Sequence, residues 1–243
     1  MEVWGATDVG KVRKQNQDYY RCSEIGTDQF AAVVCDGMGG AKSGDIASNL
    51  ASDVFLQDVL HTAVPGMSQE EIVRMLVNAV RSANRAVYDQ AGLSPEFSGM
   101  GTTLVAVFLQ ETDAYIVNIG DSRCYYIADG QIIQVTEDHS VVGMMVARGQ
   151  ITEEEARTHP NKNLITRAVG TESDVVCDCF YLSMDRGEKL VLCTDGLSNL
   201  ITKDELRQLL TEGGSEADFC NRMIALTLER GAPDNVTVVL LIC

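Results

Sequence analysis

The hydrophobic positions of this chain form short unbroken runs in some places and a helical spacing in others. Runs of four to eight apolar residues, bounded by turn residues, favour strands. Two of the runs flank Asp129-Gly130, the favoured two-residue hairpin turn, so their strands are predicted to be antiparallel. The predicted strands are FAAVVC (30–35), TTLVAVFL, AYIVNI, CYYIA, QIIQV, NLITRAVG, VVCDCFYL, KLVLCT and VTVVLLIC.

Elsewhere the apolar residues recur every three or four positions. From Ser43 this spacing predicts an amphipathic helix of about four turns. Residues 139–163 are helical in pattern but mixed in polarity, and residues 216–230 predict another helix. Strands in runs and helices in pairs favour antiparallel sheet layered with helices, an α+β chain. Capping-box pairs indicate three further helix starts: Ser68 with Glu71, Thr152 with Glu155, and Thr202 with Glu205.

Length and composition limit the class of protein. The 243 residues contain no repeat and no long polar linker, which predicts one domain over residues 1–243. No apolar run approaches the ~20 residues needed to cross a bilayer, and the first residues lack the pattern of a signal peptide. The chain is therefore expected to be cytoplasmic and to bind no membrane.

Charge and cysteine content narrow the class further. A net charge of −16 disfavours nucleic acid and anionic membrane as partners, and a surplus of carboxylates can include a cation site. Most of the eight cysteines lie in apolar runs, which favours reduced core thiols. The single C-x-C, Cys177 and Cys179, has no second pair to complete a zinc site.

Aspartates recur where a predicted strand meets a loop. Clustered carboxylates repel one another unless a cation lies among them, and hard oxygen ligands suit Mg²⁺ or Mn²⁺. If these strand ends share one edge of a sheet, the chain would have a divalent cation site there. The residues are Asp18, Asp36, Asp121, Asp195 and Asp234.

A structural alternative exists, because Asp-Gly is also a common turn dipeptide. Asp129-Gly130 has strands on both sides and needs no explanation beyond a hairpin. Asp36-Gly37 and Asp195-Gly196 are followed instead by small or helical residues, so a hairpin does not account for them. The repetition at strand ends favours the cation site.

Glycines and an arginine complete the predicted site. Gly37, Gly39 and Gly40 leave the backbone beside Asp36 open to a metal or its waters, or they merely permit a tight bend. Arg13 can hold two phosphate oxygens at once through its guanidinium group. Alone, this arginine is a weak signal, and it gains weight only from its neighbours.

Taken in order, the motifs resemble those of the metal-dependent Ser/Thr protein phosphatases, the protein phosphatase 2C or PPM family, in its bacterial single-domain type. The resemblance extends from the first strand to the last. It implies a four-layer αββα sandwich, with two central antiparallel sheets flanked by pairs of helices. The motifs are RKQNQD (13–18), DGMGG (36–40), GDIAS (44–48), GTT (101–103), VNIGDSR (117–123), EDHS (137–140), NLITRAVG (163–170), LCTDGLSN (192–199) and PDNVT (233–237).

The resemblance also implies a set of metal ligands. Two Mn²⁺ or Mg²⁺ ions would be bridged by Asp36, with Asp195 and Asp234 on one ion and the Gly37 carbonyl on the other. Asp121 would help to hold a weaker third ion.

Other groups in the resemblance act on water and substrate. Asp18 would orient metal-bound water without touching the metal. Arg13 would bind the phosphate of the substrate. Residues 139–163 would form a flap beside the active site.

Two positions depart from the family pattern. Many relatives have Glu where Gln17 stands, so one water-mediated metal contact is expected to be weaker or absent here. Animal members have His, a proposed proton donor, in place of Met38, and a thioether has no proton to give. The histidines of the chain are His61, His139 and His159, and each is expected to be a surface or packing residue.

The predicted reaction is hydrolysis of phosphoserine and phosphothreonine in proteins by a water bridging two metal ions. The expected partners are phosphorylated protein substrates and a cognate Ser/Thr kinase that the enzyme opposes, and the chain is expected to be a monomer. One alternative is a catalytically weak phosphopeptide-binding regulator on the same fold. Another two-metal hydrolase, such as a nuclease, is disfavoured by the acidic charge.

Overall fold

A computed structural model describes residues 1–39, 43–211 and 215–243. The strands are β1 (Glu2–Asp8), β2 (Asp18–Ile25), β3 (Gln29–Met38), β4 (Gly101–Thr102), β5 (Leu104–Gln110), β6 (Asp113–Ile119), β7 (Arg123–Ala128), β8 (Gln131–Gln134), β9 (Asp178–Ser183), β10 (Lys189–Cys193) and β11 (Val236–Ile242). The α-helices are α1 (Ser43–Thr62), α2 (Gln69–Ala91), α3 (Val141–Ala147), α4 (Glu153–Thr158), α5 (Asp195–Ser198), α6 (Lys203–Thr211) and α7 (Glu216–Glu229).

The strands form two sheets, and every paired strand runs antiparallel to its neighbour. One sheet has the order β1-β11-β10-β7-β8. The other has the order β2-β3-β5-β6-β9, with β4 paired to β3. The predicted hairpin joins β7 to β8, and Asp129 and Gly130 have the positive φ angles, 50° and 70°, of a type I′ turn.

Three buried clusters define four layers. Helices α1 and α2 cover the outer face of the six-stranded sheet, and α6 and α7 cover the outer face of the other sheet. The third cluster lies between the sheets. The predicted α+β class and the four-layer αββα sandwich are confirmed.

Strand β3 shows why the apolar runs are unbroken. Ala31, Val33 and Cys35 face the helices, whereas the alternate residues Phe30 and Val34 face the other sheet. Because successive side chains point to opposite faces, a strand covered on both sides needs apolar residues at every position.

Helix α2 follows its sequence pattern closely. Ser68 caps it, accepting from the Glu71 backbone N–H, while the Glu71 side chain accepts from the Ser68 N–H, as the capping box predicts. Ile72, Leu76 and Ala79 form part of its buried face. Within the described ranges, no helix combines the length and apolar character that a membrane crossing requires.

The structure differs from the sequence-based expectations in three places. Strands β1 and β2 were not predicted, so Asp18 begins a strand instead of preceding the first one. Residues 163–170 form isolated bridges through Ile165 and Val169, not a strand. Helix α1 has 20 residues and is longer than predicted.

All eight cysteines are free thiols, as expected, with no disulfide among them.

The fold brings the predicted strand ends to one end of the sandwich. The start of β2 pairs with the end of β3, so Asp18 lies opposite Asp36. Strand β10 ends beside the start of β11, because Cys193 pairs with Val238. The end of β3, the loops that follow β6 and β10, and the loop that precedes β11 therefore meet there.

Candidate metal centre

A cleft of about 370 Å³ opens where these loops meet. Four of the five predicted aspartates line it, and the fifth, Asp18, is buried nearby opposite Asp36. Residues from both sheets therefore form one acidic site. The lining includes Arg13, Gln17, Asp36, Gly37, Met38, Gly39, Thr103, Asp121, Asn163, Ile165, Asp195, Asp234 and Asn235.

Asp36 is held at the end of β3 by the threonines that follow α2. Its backbone N–H donates to Thr103 Oγ1 at 2.9 Å, and its carbonyl accepts from the Thr103 N–H and from Thr102 Oγ1, both at 2.9 Å. Burial raises the pKa of the Asp36 carboxyl well above its usual range, and the neighbouring carboxylates of Asp18 and Asp195 raise it further. This carboxyl is in a position that strongly favours a compensating cation.

Asp195 is the first residue of the short helix α5. Asn199 Nδ2 donates to Asp195 Oδ2 at 3.0 Å, and the Asp36 carboxyl lies close enough to Asp195 to affect its pKa. Burial raises the pKa of Asp195, as does the nearby charge of Asp234. Asp36 and Asp195 are therefore neighbouring carboxyls whose repulsion a cation would relieve.

Asp18 lies beneath the cleft and is only 4% exposed. One oxygen, Oδ2, accepts hydrogen bonds from Thr194 Oγ1 at 2.9 Å and from Thr237 Oγ1 at 2.8 Å. Burial raises the pKa of Asp18 to about 7 in spite of these two bonds. Its other oxygen, Oδ1, is buried and has no hydrogen-bond partner among the described residues.

Asp234 and Arg13 form an ion pair at the mouth of the cleft. Arg13 Nη2 donates to Asp234 Oδ2 at 2.7 Å, and the backbone N–H of Asn235 donates to Asp234 Oδ1 at 2.9 Å. The arginine side chain is half exposed. Arg13 is thus beside the carboxylates, as predicted, but its partner in the structure is a carboxylate that was predicted to bind metal.

Asp121 follows the end of β6 and is 8% exposed. Burial raises the pKa of its carboxyl well above the usual range, and Asp195 and Asp138 raise it further. The structure therefore places Asp121 within the field of the other carboxylates.

The glycines beside Asp36 serve the packing of the backbone. A Cβ on Gly37 would collide with the carbonyl of Gly44 at the start of α1, so close approach of that backbone, not a bend, requires a glycine here. Gly37, Met38 and Gln17 line the cleft, while Gly40 lies outside the described residues.

In residues 1–39, 43–211 and 215–243, no three Asp, Glu, His or Cys side chains are arranged to hold a metal ion as they stand. The contacts above account for this, since Asp234 turns to Arg13 and Asp18 turns to its two threonines. The donor set still fits a hard divalent cation. Hard divalent cations prefer carboxylate oxygens. A cation would also offset the mutual repulsion that raises the pKa values of Asp36, Asp195 and Asp121.

Some residues that hold the site were not singled out from the sequence. Thr194 and Thr237 fix Asp18, Asn199 fixes Asp195, and the Asn235 side chain joins the loops by donating to the carbonyls of Val9 and Gln15. Each lies within four residues of Asp195 or Asp234 in the sequence. Proximity to these two aspartates was the only feature of the sequence that could have identified them.

The histidines also separate in the structure. His61 is exposed and His159 is partly exposed, as expected for surface residues. His139 is 6% exposed, and its ring is hydrogen-bonded to Gly120, beside Asp121.

Comparison with known proteins places the chain in a family. Residues 11–226 match the model for protein phosphatase 2C. The serine/threonine phosphatase stp of Listeria welshimeri is 35% identical over 234 residues, covering 96% of this chain and 92% of that protein.

Solved structures agree with that match. The crystal structure of the serine/threonine phosphatase Stp1 from Staphylococcus aureus has a TM-score of 0.93 at 36% identity, covering 100% of this chain and 94% of that one. The catalytic domain of the serine threonine protein phosphatase PstP, solved in complex with two manganese ions, has a TM-score of 0.85 at 33% identity, covering 98% of this chain and 96% of that one.

A four-layer sandwich with an acidic cleft at one end, matched over most of its length, defines a phosphatase fold with a candidate metal centre. The chain belongs to the protein phosphatase 2C family. It is a protein serine/threonine phosphatase of the bacterial type, and that prediction is confirmed. The comparisons give no support to the non-enzymatic alternative.

Proposed function

We propose that the cleft hydrolyses phosphoserine and phosphothreonine in proteins with two divalent cations, Mn²⁺ or Mg²⁺. The convergence of five aspartates from both sheets carries this proposal, with Asp18 and Asp121 buried and Asp36, Asp195 and Asp234 partly buried in the cleft. Asp36 would contact both cations, Asp195 and Asp234 would hold one of them, and the Gly37 carbonyl would hold the other. The two manganese ions bound by PstP, a relative of the same fold, support the use of two cations.

A cation and Arg13 would compete for the carboxylate of Asp234. Its Oδ2 accepts from Arg13 in the structure, so a cation at that oxygen would displace the guanidinium. The freed Arg13 would then turn its paired N–H donors to the phosphate of a substrate. Arg13 would thus bind Asp234 in the absence of the cation and the substrate phosphate in its presence.

Bound at these carboxylates, the cations would make a water molecule acidic enough to lose a proton near neutral pH, and the deprotonated water would attack phosphorus. Arg13 would bind the phosphoryl oxygens and offset their charge as the bond to the seryl or threonyl oxygen breaks. Asp18 would orient that water through Oδ1, the oxygen that its threonines leave unpartnered among the described residues. Met38 lines the cleft but has no proton to give, so water would protonate the leaving oxygen.

Other parts of the proposal concern the surroundings of the site. Asp121 would help to hold a weaker third cation. Residues 139–163, which contain α3 and α4, would act as a flap that selects substrates. The chain would act as one domain over residues 1–243.

The biological setting is proposed on the same basis. The substrates would be phosphorylated proteins, and the enzyme would oppose a Ser/Thr kinase in the cytoplasm as a monomer. The charge of −16 supports the absence of nucleic acid and anionic membrane from its partners.

The proposed function is tested by following phosphate release from a phosphothreonine peptide as Mn²⁺ is added to protein freed of metal. We expect activity that requires the cation and that is lost in Asp36→Asn. Asp129→Asn, which alters an Asp-Gly pair in a distant hairpin, is the matched control and should retain full activity. Cation-independent release, or full activity in Asp36→Asn, would contradict the proposal.

A further inference from the structure

The backbone polar groups of Gly120 are both held by one residue, His139. The Gly120 N–H donates to His139 Nδ1 at 3.2 Å, and the His139 N–H donates to the Gly120 carbonyl at 2.9 Å. Asn118 Nδ2 lies 3.3 Å from the same carbonyl. This pair of bonds joins the turn before Asp121 to the start of the flap.

These contacts determine which ring nitrogen of His139 carries the proton. A backbone N–H can only donate, so Nδ1 must present its lone pair to Gly120. The proton of a neutral ring is then on Nε2, which lies 3.0 Å from Asp178 Oδ2 and can donate to it. Arg167 Nη1 donates to the other Asp178 oxygen at 2.8 Å and lies 3.1 Å from Nε2.

Asp178 is suited to keep the ring in this form. Burial raises the pKa of its carboxyl, but hydrogen bonds from His139 and Arg167 outweigh burial and lower it overall. The carboxylate therefore stays charged and holds the ring by Nε2, on the side opposite Gly120.

The turn itself leaves little freedom for Asp121. Gly120 has φ of +101°, and a Cβ there would lie 2.6 Å from Thr103 Cγ2. Thr103 also holds the backbone of Asp36 and bonds to Ser122 Oγ at 2.7 Å. A shift of the Gly120 peptide would thus change the position of Asp121 relative to Asp36.

We infer that His139 is a positioning residue for the phosphatase reaction: it fixes the Gly120 peptide from one side and Asp178 from the other, and so sets the position of the Asp121 carboxyl. The inference rests on the proposed role of Asp121. Residues that orient a ligand through hydrogen bonds in this way commonly change activity by about 10-fold or more when they are replaced.

The first test reads the ring directly in the metal-free protein. Long-range ¹H–¹⁵N NMR of the histidine rings should show His139 with an unprotonated Nδ1 and a proton on Nε2 near neutral pH. The Gly120 amide should exchange slowly with solvent. A proton on Nδ1, or rapid exchange of that amide, would overturn the inference whatever the activity of the enzyme.

The second test uses two variants that each keep half of the ring's bonds. Asn in His139→Asn keeps an acceptor near the position of Nδ1, whereas Gln in His139→Gln keeps a donor near the position of Nε2. We expect His139→Gln to lower kcat about 10-fold or more, with KM nearly unchanged, and His139→Asn to lose less. Equal losses in the two variants would contradict the inference.

The third test separates the role of His139 from that of Asp121. His139→Gln should have little further effect on kcat in an Asp121→Asn background, because both changes act on the same carboxyl. If Asp121→Asn is impaired and His139→Gln still lowers kcat by its full factor, the positioning inference fails alone. If Asp121→Asn turns over like the wild type, the proposed role of Asp121 fails with it.

His61→Gln is the control for these variants. His61 is an exposed histidine in the last turn of α1, outside the cleft and the flap. We expect this variant to keep wild-type kcat and an unchanged Gly120 amide. Thermal melts of all variants should show that each one is folded.

Discussion

Three Asp-Gly pairs occupy two contrasting environments in this molecule. Asp129-Gly130 forms an exposed hairpin between β7 and β8, with both residues at positive φ. Asp36-Gly37 and Asp195-Gly196 lie in the cleft where the ends of the two sheets meet, and both carboxyls have raised pKa values. The dipeptide is the same, but its backbone conformation and its surroundings differ.

The difference shows that burial among like charges, not the local turn, distinguishes a candidate metal ligand. The hairpin aspartate is solvated and needs no partner. The cleft aspartates were removed from water and placed beside one another, an arrangement that costs free energy unless a cation offsets it. The same contrast defines how the account can be tested.

The largest expected effect on activity comes from neutralising an aspartate of the cleft, Asp36. Asp36→Asn should lower kcat/KM by at least about 1000-fold, because stabilisation of transition-state charge by bound cations contributes several kcal/mol. Asp129→Asn should leave kcat/KM unchanged. Steady-state hydrolysis of a phosphothreonine peptide at saturating Mn²⁺ measures both.

Folding of these variants is checked separately by thermal unfolding without metal. Asp36→Asn should melt at a temperature equal to or above that of the wild type, because it removes a charge that burial disfavours. A large loss of stability would mean that the lost activity reflects unfolding, and the contrast between the two Asp-Gly environments would then be without support.

The next effect is stabilisation by the cation itself. At 100 times its dissociation constant, Mn²⁺ should stabilise the wild type and Asp129→Asn by about 2.7 kcal/mol per site. Asp36→Asn should show a much smaller rise in Tm. Differential scanning calorimetry with and without Mn²⁺ gives the comparison, and equal shifts in all three proteins would argue against the cleft as the cation site.

A smaller effect on activity is expected from replacing Arg13, which is proposed to bind Asp234 or the substrate phosphate. Arg13→Ala should lower kcat/KM by about 10- to 100-fold, because it removes charged hydrogen bonds to phosphate. It should also leave Mn²⁺ binding equal or tighter, because Asp234 loses its competing partner. Peptide kinetics and Mn²⁺ calorimetry on the same variant test both statements. Weaker Mn²⁺ binding would contradict the exchange of partners at Asp234.

The sequence indicated that Asp36, Asp121, Asp195 and Asp234 lie together, because each follows or precedes an apolar run whose ends are easy to recognise. The unbroken run of β3 and the spacing of α2 were equally clear. Strands β1 and β2 escaped prediction because most of their residues are half-buried, so neither alternation nor an apolar run marks them. Long-range pairing with β11 and β3 stabilises them instead.

The supporting residues of the site were harder to foresee for a related reason. The bonds of Asp18 to Thr194 and Thr237 span 176 and 219 positions along the chain. The bond between His139 and Asp178 spans 39 positions. Such contacts depend on the register of distant strands, which local patterns do not contain.

The smallest expected effect is on stability and concerns Glu205, whose pKa is lowered and not raised like those of the cleft aspartates. Hydrogen bonds from Arg230 and Thr202 lower the pKa of Glu205 to about 2, against its ordinary value of 4.5. Its stabilising contribution is therefore present above pH 4.5 and is lost as the pH falls toward 2. Because the pair is largely solvated, Glu205→Gln should cost less than about 1 kcal/mol near neutral pH.

Urea unfolding of the wild type and Glu205→Gln between pH 6 and 2.5 checks this prediction. The difference in free energy of unfolding should shrink as the pH falls below 4.5. A difference that grows on acidification would show that the charge of Glu205 is not stabilised in the folded protein.

The central claim is that Asp36, Asp195 and Asp234 together hold divalent cations. A crystal of the wild-type protein grown with Mn²⁺, with anomalous diffraction recorded at the manganese edge, tests it most directly. We expect two strong anomalous peaks in the cleft, both within ligand distance of Asp36, with the Arg13 side chain moved away from Asp234. Peaks elsewhere, or no peak between these carboxylates in the presence of excess Mn²⁺, would contradict it.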